Sequence, residues 1–384
     1  MMLGFLLARV GIDVMVLEKH ADFLRDFRGD TIHPSTLEVI RELGLLEDFL
    51  ARPHQKVYQL TGMIGETEIV MADFSKLPVP CPFIAFMPQW DFLNFLAQHG
   101  KKYPGFHLKM QTQATRAWEE NGRIVGVEAQ GPEGPVKIRA LLTIGADGRH
   151  SLLRAQAGLP IEESGTPIDV LWMKISRRAD DPDQPLGRFD SGKVFVMLYR
   201  EDYWQCAYVI AKGGYEDIRR NGLENFRTDI AKAAPFVGER VNEIASWDDV
   251  KLLTVTVDHL QRWFKPGLLF IGDAAHAMSP LGGVGINLAI QDAVAAANIL
   301  TGPLKSGYVS EEDLMKVQRR RMWPTRMTQR LQVFLQNRVF RPIISGQSGL
   351  RPPLVLRLMT RFKFIRHIPA RVIGMGFRPE HIQK

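Results

Sequence analysis

The segment GDAAHAMSPLGGVGIN, from Gly272 to Asn287, constrains the fold of this chain more than any other. It follows a strand-like apolar run over 267–271 and precedes a helical run of small residues over 288–300. Glycines let backbone N–H groups approach a ligand closely, and a helix N-terminus attracts negative charge. An acid, a glycine turn and a helix start in this order therefore indicate a site for a polar cofactor. Taken alone, the segment is equally compatible with a helix cap and turn in an ordinary α/β domain.

A second segment, IGADGRHSLLRAQAGL from Ile144 to Leu159, repeats the arrangement of an apolar strand, an Asp-Gly turn and a helix. It carries Asp147, Gly148, Ser151 and Arg154, and it precedes the first segment by more than one hundred residues. Together, in this order, the two segments resemble the flavoprotein monooxygenases of the para-hydroxybenzoate hydroxylase type. In that family both turns line FAD, and the earlier one also serves NAD(P)H.

The resemblance implies an α/β fold with three parts. A Rossmann-like FAD-binding domain, truncated at its N-terminus, is interleaved with a mixed β-sheet substrate domain and followed by a C-terminal basic helical region. The predicted boundaries are 1–56, 87–159 and 259–300 for the FAD-binding domain, 57–86 and 160–258 for the substrate domain, and 301–384 for the helical region.

The resemblance also implies an activity. NAD(P)H would reduce FAD, O2 would add at flavin C4a to give a hydroperoxide, and the distal oxygen would pass to an aromatic or other apolar ring substrate. The cofactor supplies this reactivity, while the protein supplies placement and excludes water. A flavin-dependent reductase or halogenase is one alternative, although no WxWxIP-like string supports the halogenase. An inactive truncated remnant is another.

Site residues follow from the resemblance position by position. Asp273 would bind the ribityl chain, Arg28 would neutralise the FAD pyrophosphate, and Asp147 would bind near that group. Pro280 would lie beside the ring near the substrate. His276 is a candidate acid or base, with a packing and hydrogen-bonding role as the alternative. The remaining cofactor-binding candidates are Glu18, Lys19, Gln89, Gly148, Arg154, Gly272, Gly283, Gly285, Ile286 and Asn287.

The start of the chain departs from the family. Residues 1–10 have the spacing of an amphipathic helix closed by Gly11, and 13–18 have the pattern of a buried parallel strand that ends in Glu18. In a dinucleotide-binding unit an acid at this place binds the adenosine ribose. The preceding strand and GxGxxG turn are not in the sequence. We expect a start codon assigned too far downstream, with a genuine truncation as the alternative, and weak FAD binding by the chain as written.

Composition fits a two-domain enzyme of 384 residues. The two cysteines, Cys81 and Cys206, fit no metal-binding spacing, and the histidines do not either, so we expect reduced thiols, a cytoplasmic protein and no metal. No apolar run appears long enough to span a membrane. The partners expected are O2 and a small-molecule substrate, without nucleic acid; a homodimer is left open.

Positive charge is concentrated at the C-terminal end. Residues 316–384 carry 16 Lys and Arg and one acid, Glu380, whereas the whole chain has a net charge of +7, so the remainder is net negative. A helical cap whose arginines pair with the acidic body is the favoured interpretation. Peripheral contact with an anionic membrane through basic, apolar helices is the alternative.

Substrate-wall candidates come from three strands predicted over 169–177, 193–200 and 203–210. Strand alternation places only half of the candidates on the flavin side, and the sequence does not say which half. The candidates are Trp172, Met173, Met197, Tyr199, Trp204, Gln205 and Tyr208.

Overall fold

The computed structural model describes residues 1–24, 31–65, 67–182, 185–190, 192–200, 202–346 and 366–383. Arg28, a predicted cofactor residue, lies outside these ranges. The helices are α1 Met2–Arg9, α2 Pro34–Glu42, α3 Leu46–Leu50, α4 Gln89–Gly100, α5 Leu152–Ala157, α6 Tyr215–Arg220, α7 Leu223–Ala233, α8 Gly285–Lys305, α9 Glu311–Leu335, α10 Arg341–Ile344 and α11 His367–Gly374.

The strands lie between these helices, some singly and others in runs of up to five. In chain order they are β1 Val14–Leu17, β2 Thr31–Ile32, β3 Gln55–Val57, β4 Gln59–Ile64, β5 Thr67–Asp73, β6 Ile84–Phe86, β7 Phe106–Lys109, β8 Gln113–Glu120, β9 Arg123–Gly131, β10 Gly134–Arg139, β11 Thr143–Gly145, β12 Ile161–Ser164, β13 Ile168–Ser176, β14 Leu186–Asp190, β15 Lys193–Tyr199, β16 Tyr203–Ala211, β17 Lys251–Leu253, β18 Val257–Leu260, β19 Phe264–Lys265, β20 Leu268–Phe270 and β21 His276–Ala277.

Parallel strand pairing occurs in two separate places in the nucleotide-binding part, the name used below for the predicted FAD-binding domain. Strand β1 pairs in parallel with β7, and β11 pairs in parallel with β20. Within the described residues no strand joins β1 to β11, so the two pairs form separate sheets. The expected parallel strand is therefore present, but the expectation that it is buried is wrong. Met15 on β1 is 43% exposed, and among the described residues β1 pairs with β7 alone.

Helix α1 lies where the sequence predicts a helix, but it does not have one buried face and one exposed face as an amphipathic surface helix would. Every residue from Met2 to Ala8 is buried, because the helix packs against β1, α4 and α8. Gly4 permits the closest of these approaches: a Cβ there would lie 2.6 Å from Cγ2 of Val16. Gly11, with a φ of +83°, ends the helix as predicted.

A seven-stranded sheet forms the second part, in the order β17-β13-β16-β15-β14-β4-β5. It unites strands from both segments proposed for the substrate domain. One face packs against α7 and the 3-10 segment Pro235–Glu243. The other face contacts Phe340, Ile343 and Ile344 near the end of the C-terminal helices.

The sequence pattern predicts one helix over 215–234 and one strand over 250–257 in this part, and the structure differs from both predictions. The single helix expected over 215–234 is broken into α6 and α7 at Gly222, whose φ of +89° is incompatible with a continuous right-handed helix. The strand expected over 250–257 is likewise two strands, β17 and β18, with different partners.

Helix α8 is the central core helix. The segment Leu281–Lys305 is long and apolar enough to cross a membrane by length and composition, contrary to the prediction that no run reaches that length. Within the molecule, however, 61% of its most apolar window is buried, and α8 packs against α1, α2 and α9. Its apolar character is therefore explained by the core of this fold.

Candidate flavin site

The turns at Asp147-Gly148 and Gly272-Asp273 lie close together, as the resemblance implies. Strands β11 and β20 are adjacent and parallel, with Gly145 opposite Phe270, so their carboxyl ends meet at one edge. Asp147 and Asp273 follow these ends. An ion pair spans the two turns, with Nη2 of Arg149 3.6 Å from Oδ2 of Asp273. The sequence analysis missed Arg149, although its place directly after Asp147-Gly148 is a usable signal.

The earlier turn is built around a short helix. Oδ2 of Asp147 accepts a hydrogen bond from the Leu152 N–H at 3.1 Å, and Oγ of Ser151 accepts one from the Arg154 N–H at 3.0 Å. Gly148 allows the turn through a φ of +85°. Asp147 therefore caps α5 through this hydrogen bond. Its side chain is nevertheless exposed, at the open edge of the strands.

Arg154 points away from that edge. Its guanidinium makes a bidentate pair with Asp258, with distances of 2.8 and 3.1 Å, and only 9% of either side chain is exposed. The pair fastens α5 to β18. Arg154 therefore braces the segment, and direct cofactor contact by its guanidinium stays an untested prediction that this geometry does not favour.

The later turn places an acid beside the start of α8. Gly272 has a φ of +59°, and a Cβ there would lie 3.0 Å from the Cβ of Ala289. Asp273, whose side chain is 33% exposed, comes next. Its Oδ1 lies 4.0 Å from where a Cβ of Gly285, the first residue of α8, would be. The carboxylate and the helix N-terminus thus share one opening.

Gly283 and Asn287 organise the loop between these two features. The Asn287 amide donates to the carbonyls of Thr31 and Gly283, at 3.0 and 3.3 Å, and its Oδ1 accepts from the His33 N–H and Thr36 Oγ1, at 2.9 and 2.7 Å. The predicted flavin contact by Asn287 is untested, but its side chain is already engaged within the protein. The backbone of Gly285 and Ile286 is the better source of such contacts.

His276 is in a setting that favours packing over catalysis. It is 1% exposed, its ring centroid lies 5.0 Å from that of Trp263, and its Nε2 is 2.6 Å from Oδ2 of Asp292. Arg321 donates to the other oxygen of Asp292 at 2.9 Å. Burial by itself would raise the pKa of Asp292, but His276 and Arg321 outweigh it and hold that pKa below its ordinary value.

Two glutamines, one on α9 and one directly after it, hold the loop around Pro280 by hydrogen bonds. The Gln332 amide donates to the carbonyls of Ser279 and Leu281, at 3.0 and 2.9 Å, and that of Gln336 donates to Oγ of Ser279. Both glutamines are buried, while Pro280 is half-buried. The sequence analysis missed these residues; three glutamines at helical spacing, Gln329, Gln332 and Gln336, are the signal that could have found them.

The residues predicted for the adenosine end lie on other elements. Glu18 follows β1, and its carboxylate accepts the His20 N–H at 2.9 Å. It also acts on the buried Met1 amine: burial lowers the pKa of that amine, and Glu18 opposes the shift. Lys19 is exposed, and Gln89 is the first residue of α4. The roles of these residues in cofactor binding stay predictions.

The structure decides which substrate-wall candidates share a face. Trp172 and Gln205 lie on the sheet face that also carries Val170 and Val209, toward the C-terminal helices. The other candidates belong to the hydrophobic core between the sheet and α7. They are Met173, Met197, Tyr199, Trp204 and Tyr208.

No cluster of potential metal ligands occurs within the ranges that the structure describes. Cys81 and Cys206 are both free and buried. Burial raises the pKa of the Cys206 thiol, so this thiol is a core group rather than a nucleophile.

Acidic turns at the carboxyl edge of adjacent parallel strands, beside the N-terminus of a long core helix, define a class of α/β nucleotide-cofactor proteins. A family described as "FAD binding domain" matches residues 1–330, and the chain belongs to that family. It is an FAD-dependent monooxygenase of the aromatic hydroxylase type, an oxidoreductase for which NAD(P)H is the typical reductant.

Named relatives agree with this class. The chain is 31% identical over 375 residues to a 6-methylpretetramide 4-monooxygenase of Streptomyces rimosus, covering 96% of this chain and 88% of that one. It is 26% identical to the 3-demethoxyubiquinol 3-hydroxylase of Escherichia coli K12, covering 82% and 81%. The crystal structure of p-nitrophenol 4-monooxygenase from Pseudomonas putida DLL-E4 has the same fold, with a TM-score of 0.75 at 18% identity and coverage of 97% and 92%.

The residues at the open edge fit the flavin end of FAD. Nη1 of Arg149 is buried and has no hydrogen-bond partner among the described residues, so it offers an N–H to an acceptor that this chain does not supply. Asp273 beside it offers an acceptor for a hydroxyl. A donor and an acceptor side by side suit a polyhydroxylated chain with a phosphate at its end.

Proposed function

We propose that this chain hydroxylates a phenolic or fused-ring aromatic substrate, using FAD, NAD(P)H and O2. The observation that carries the proposal is the convergence of Asp273, Arg149 and the start of α8 at one edge of β11 and β20. The names of the relatives support the substrate class, since they refer to a pretetramide, a quinol and a nitrophenol.

Bound FAD supplies the electron transfer and the oxygen activation. In this proposal the chain supplies placement. Asp273 accepts from a ribityl hydroxyl, and Arg149 donates through its unpaired Nη1 to a ribityl or phosphate oxygen. Backbone N–H groups at Gly285 and Ile286, the first residues of α8, would bind the polar edge of the flavin ring, and the dipole of α8 would stabilise negative charge there.

The substrate is proposed to lie between the Pro280 loop and the sheet face that carries Trp172, Val196 and Gln205. This face is apolar along β13, β15 and β16 and becomes polar at Gln205, which is 2% exposed. Nε2 of Gln205 has no hydrogen-bond partner among the described residues, so it can orient an oxygen of the substrate. An apolar surface with one buried amide is suited to an aromatic ring that carries a hydroxyl or carbonyl group.

Flavin titration tests the site. We expect Arg149→Met and Asp273→Asn each to weaken FAD binding by about tenfold or more, because each removes a charge-assisted hydrogen bond. Arg139→Met is the matched control, since Arg139 pairs with Glu120 on an exposed hairpin, and its FAD affinity should equal that of the wild type. A wild-type protein that binds no FAD, or an Arg149→Met variant that binds normally, would contradict the proposed site.

Turnover tests the activity. Wild-type protein with FAD should oxidise NADH or NADPH faster when a phenol or a fused-ring aromatic compound is added, and it should yield a product heavier by one oxygen atom. Oxidation without such a product would point instead to a flavin reductase. The cytoplasmic location, the homodimer and contact with a membrane stay predictions. Pairing of the α9 residues Arg321 and Arg326 with Asp292 and Glu162 of the acidic body supports the cap interpretation of the basic region over membrane contact.

A further inference from the structure

A buried ionic network connects the end of the chain to the Gly272 turn. Arg321 of α9, which is 1% exposed, donates to Oδ1 of Asp292 at 2.9 Å and lies 3.2 Å from Oε1 of Glu380. Arg320 reaches the same Glu380 oxygen at 2.7 Å. Glu380 itself is 4% exposed, and its N–H donates to the side chain of Gln291.

Asp292 is the point where this network meets the flavin site. Its Oδ2 accepts the Gly272 N–H at 3.0 Å and contacts Nε2 of His276 at 2.6 Å. Gly272 is in the left-handed region and directly precedes Asp273. A single carboxylate, 0% exposed, therefore fixes both ends of the segment from Gly272 to His276.

We propose that Asp292 is a positioning residue for Asp273, and that Glu380, through Arg321, sets the position of Asp292. Residues 377–383 then serve as a strap that holds the ribityl-binding turn in place from outside the FAD-binding domain. This inference rests on the proposed flavin site. It goes beyond that site because it assigns a binding function to the distant end of the chain.

A buried ion pair that only stabilised the fold would behave differently. Removing one partner of such a pair lowers stability wherever the pair lies, since it leaves a buried charge without compensation. Asp181 supplies the matched control. It is 8% exposed and accepts from both Nη atoms of Arg240 at 2.7 Å; it lies between β13 and β14, and Arg240 lies on the 3-10 segment Pro235–Glu243.

The experiment compares Asp292→Asn, Glu380→Gln and Asp181→Asn in the full chain. We expect the dissociation constant of FAD to rise about tenfold in Asp292→Asn and about threefold in Glu380→Gln, while Asp181→Asn stays within twofold of the wild type despite a lower melting temperature. Equal FAD affinity in Asp292→Asn and the wild type would overturn the inference, as would equal weakening in Asp181→Asn.

Hydrogen exchange provides a readout that needs no flavin. The Gly272 amide should exchange faster in Glu380→Gln than in the wild type, whereas the same amide in Asp181→Asn should be unchanged. This measurement also tests the proposed strap if Asp292→Asn does not fold. Unchanged exchange at Gly272 in Glu380→Gln would refute the strap. Wild-type protein that fails to bind FAD would count against the flavin site instead.

Discussion

At the scale of single residues, His33 is a buried titratable group beside the flavin loop. It is 0% exposed, its N–H donates to Asn287, and its Nδ1 lies 2.7 Å from the carbonyl oxygen of Ile373. Burial lowers the pKa of His33 from 6.5 to about 4, against the opposing effect of the Ile373 carbonyl. Between about pH 4 and pH 6.5, His33 is therefore neutral in the folded protein and protonated in the unfolded chain.

This difference predicts a pH dependence of stability. Below pH 6.5 the unfolded state takes up a proton that the folded state refuses until about pH 4, so the free energy of unfolding should fall between these values, by up to about 3 kcal/mol. His33→Gln should flatten that fall. Urea unfolding at several pH values measures the free energy of unfolding. His107→Gln is the control, because His107 is exposed on β7. Identical profiles for wild type and His33→Gln would contradict the prediction.

At Gly283, in the flavin loop, backbone conformation and packing both require glycine. Its φ is +63°, and a Cβ would lie 2.2 Å from Oγ1 of Thr31. We expect Gly283→Ala to lower the free energy of unfolding by about 3 kcal/mol, from backbone strain and overpacking together. Adding Thr31→Ala should restore part of the loss by removing the clash. Additive destabilisation in the double variant, measured by denaturant unfolding, would show that the clash is unimportant.

At the scale of elements, α1 attaches the β1–β7 pair to helices α4 and α8. No strand among the described residues bridges β1 and β11, so the β1–β7 pair is attached chiefly through the packing of α1 on α4 and α8. Phe5 is 2% exposed and its ring lies 5.9 Å from that of Tyr103. The integrity of the nucleotide-binding part therefore depends on one short, fully buried helix.

Truncation of Phe5 tests that dependence. Phe5→Ala should cost about 3–5 kcal/mol of unfolding free energy, because it opens a large cavity between α1 and its neighbours. Phe334→Ala is a matched control, since Phe334 is 58% exposed and its loss should change stability by less than about 0.5 kcal/mol. Chemical denaturation followed by circular dichroism measures both. A loss in Phe5→Ala as small as in the control would be inconsistent with the structure.

At the scale of the whole molecule, protection from hydrogen exchange should be uneven. Strand β20 lies between β11 and β19 and is buried throughout, whereas β1 has one partner and is partly exposed. Amides of Val14–Leu17 should therefore exchange about tenfold faster, or more, than those of Leu268–Phe270. Mass spectrometry of the two peptides measures this, with the central strand β16 as a protected reference. Equal protection would mean that β1 has a further partner.

The sequence predicted the part of the site that depends on local order along the chain. Each turn follows its own strand, and the resemblance to the flavoprotein monooxygenases implies that both turns line one cofactor, so Asp147 and Asp273 could be expected close together before the structure was known. The face of Trp172 could not be predicted, because alternation defines two faces but does not say which one meets the flavin domain.

The hydrogen bonds that hold the flavin-site residues in place could not be predicted from the sequence, for a different reason. Asn287 binds Thr31, Gln332 binds Ser279, and Arg321 binds Glu380, so each bond joins residues far apart in the sequence. Nothing in the pattern around either residue indicates its partner. The burial of α1 on all sides could not be predicted from the sequence either. The spacing of apolar residues is the same for a helix with three neighbours as for a helix with one.

The docked chain end has a practical consequence for fusing a purification tag. The Ile382 N–H donates to Glu42 at 2.8 Å and the Gln383 N–H donates to Asn298 at 3.1 Å, while the Met1 amine is buried. A tag fused directly after these residues would therefore begin beside the contacts that hold this segment in place. The exposed hairpin turn at Asn121–Gly122, between β8 and β9, is free of the flavin edge, and an epitope inserted there should leave the colour of the protein unchanged.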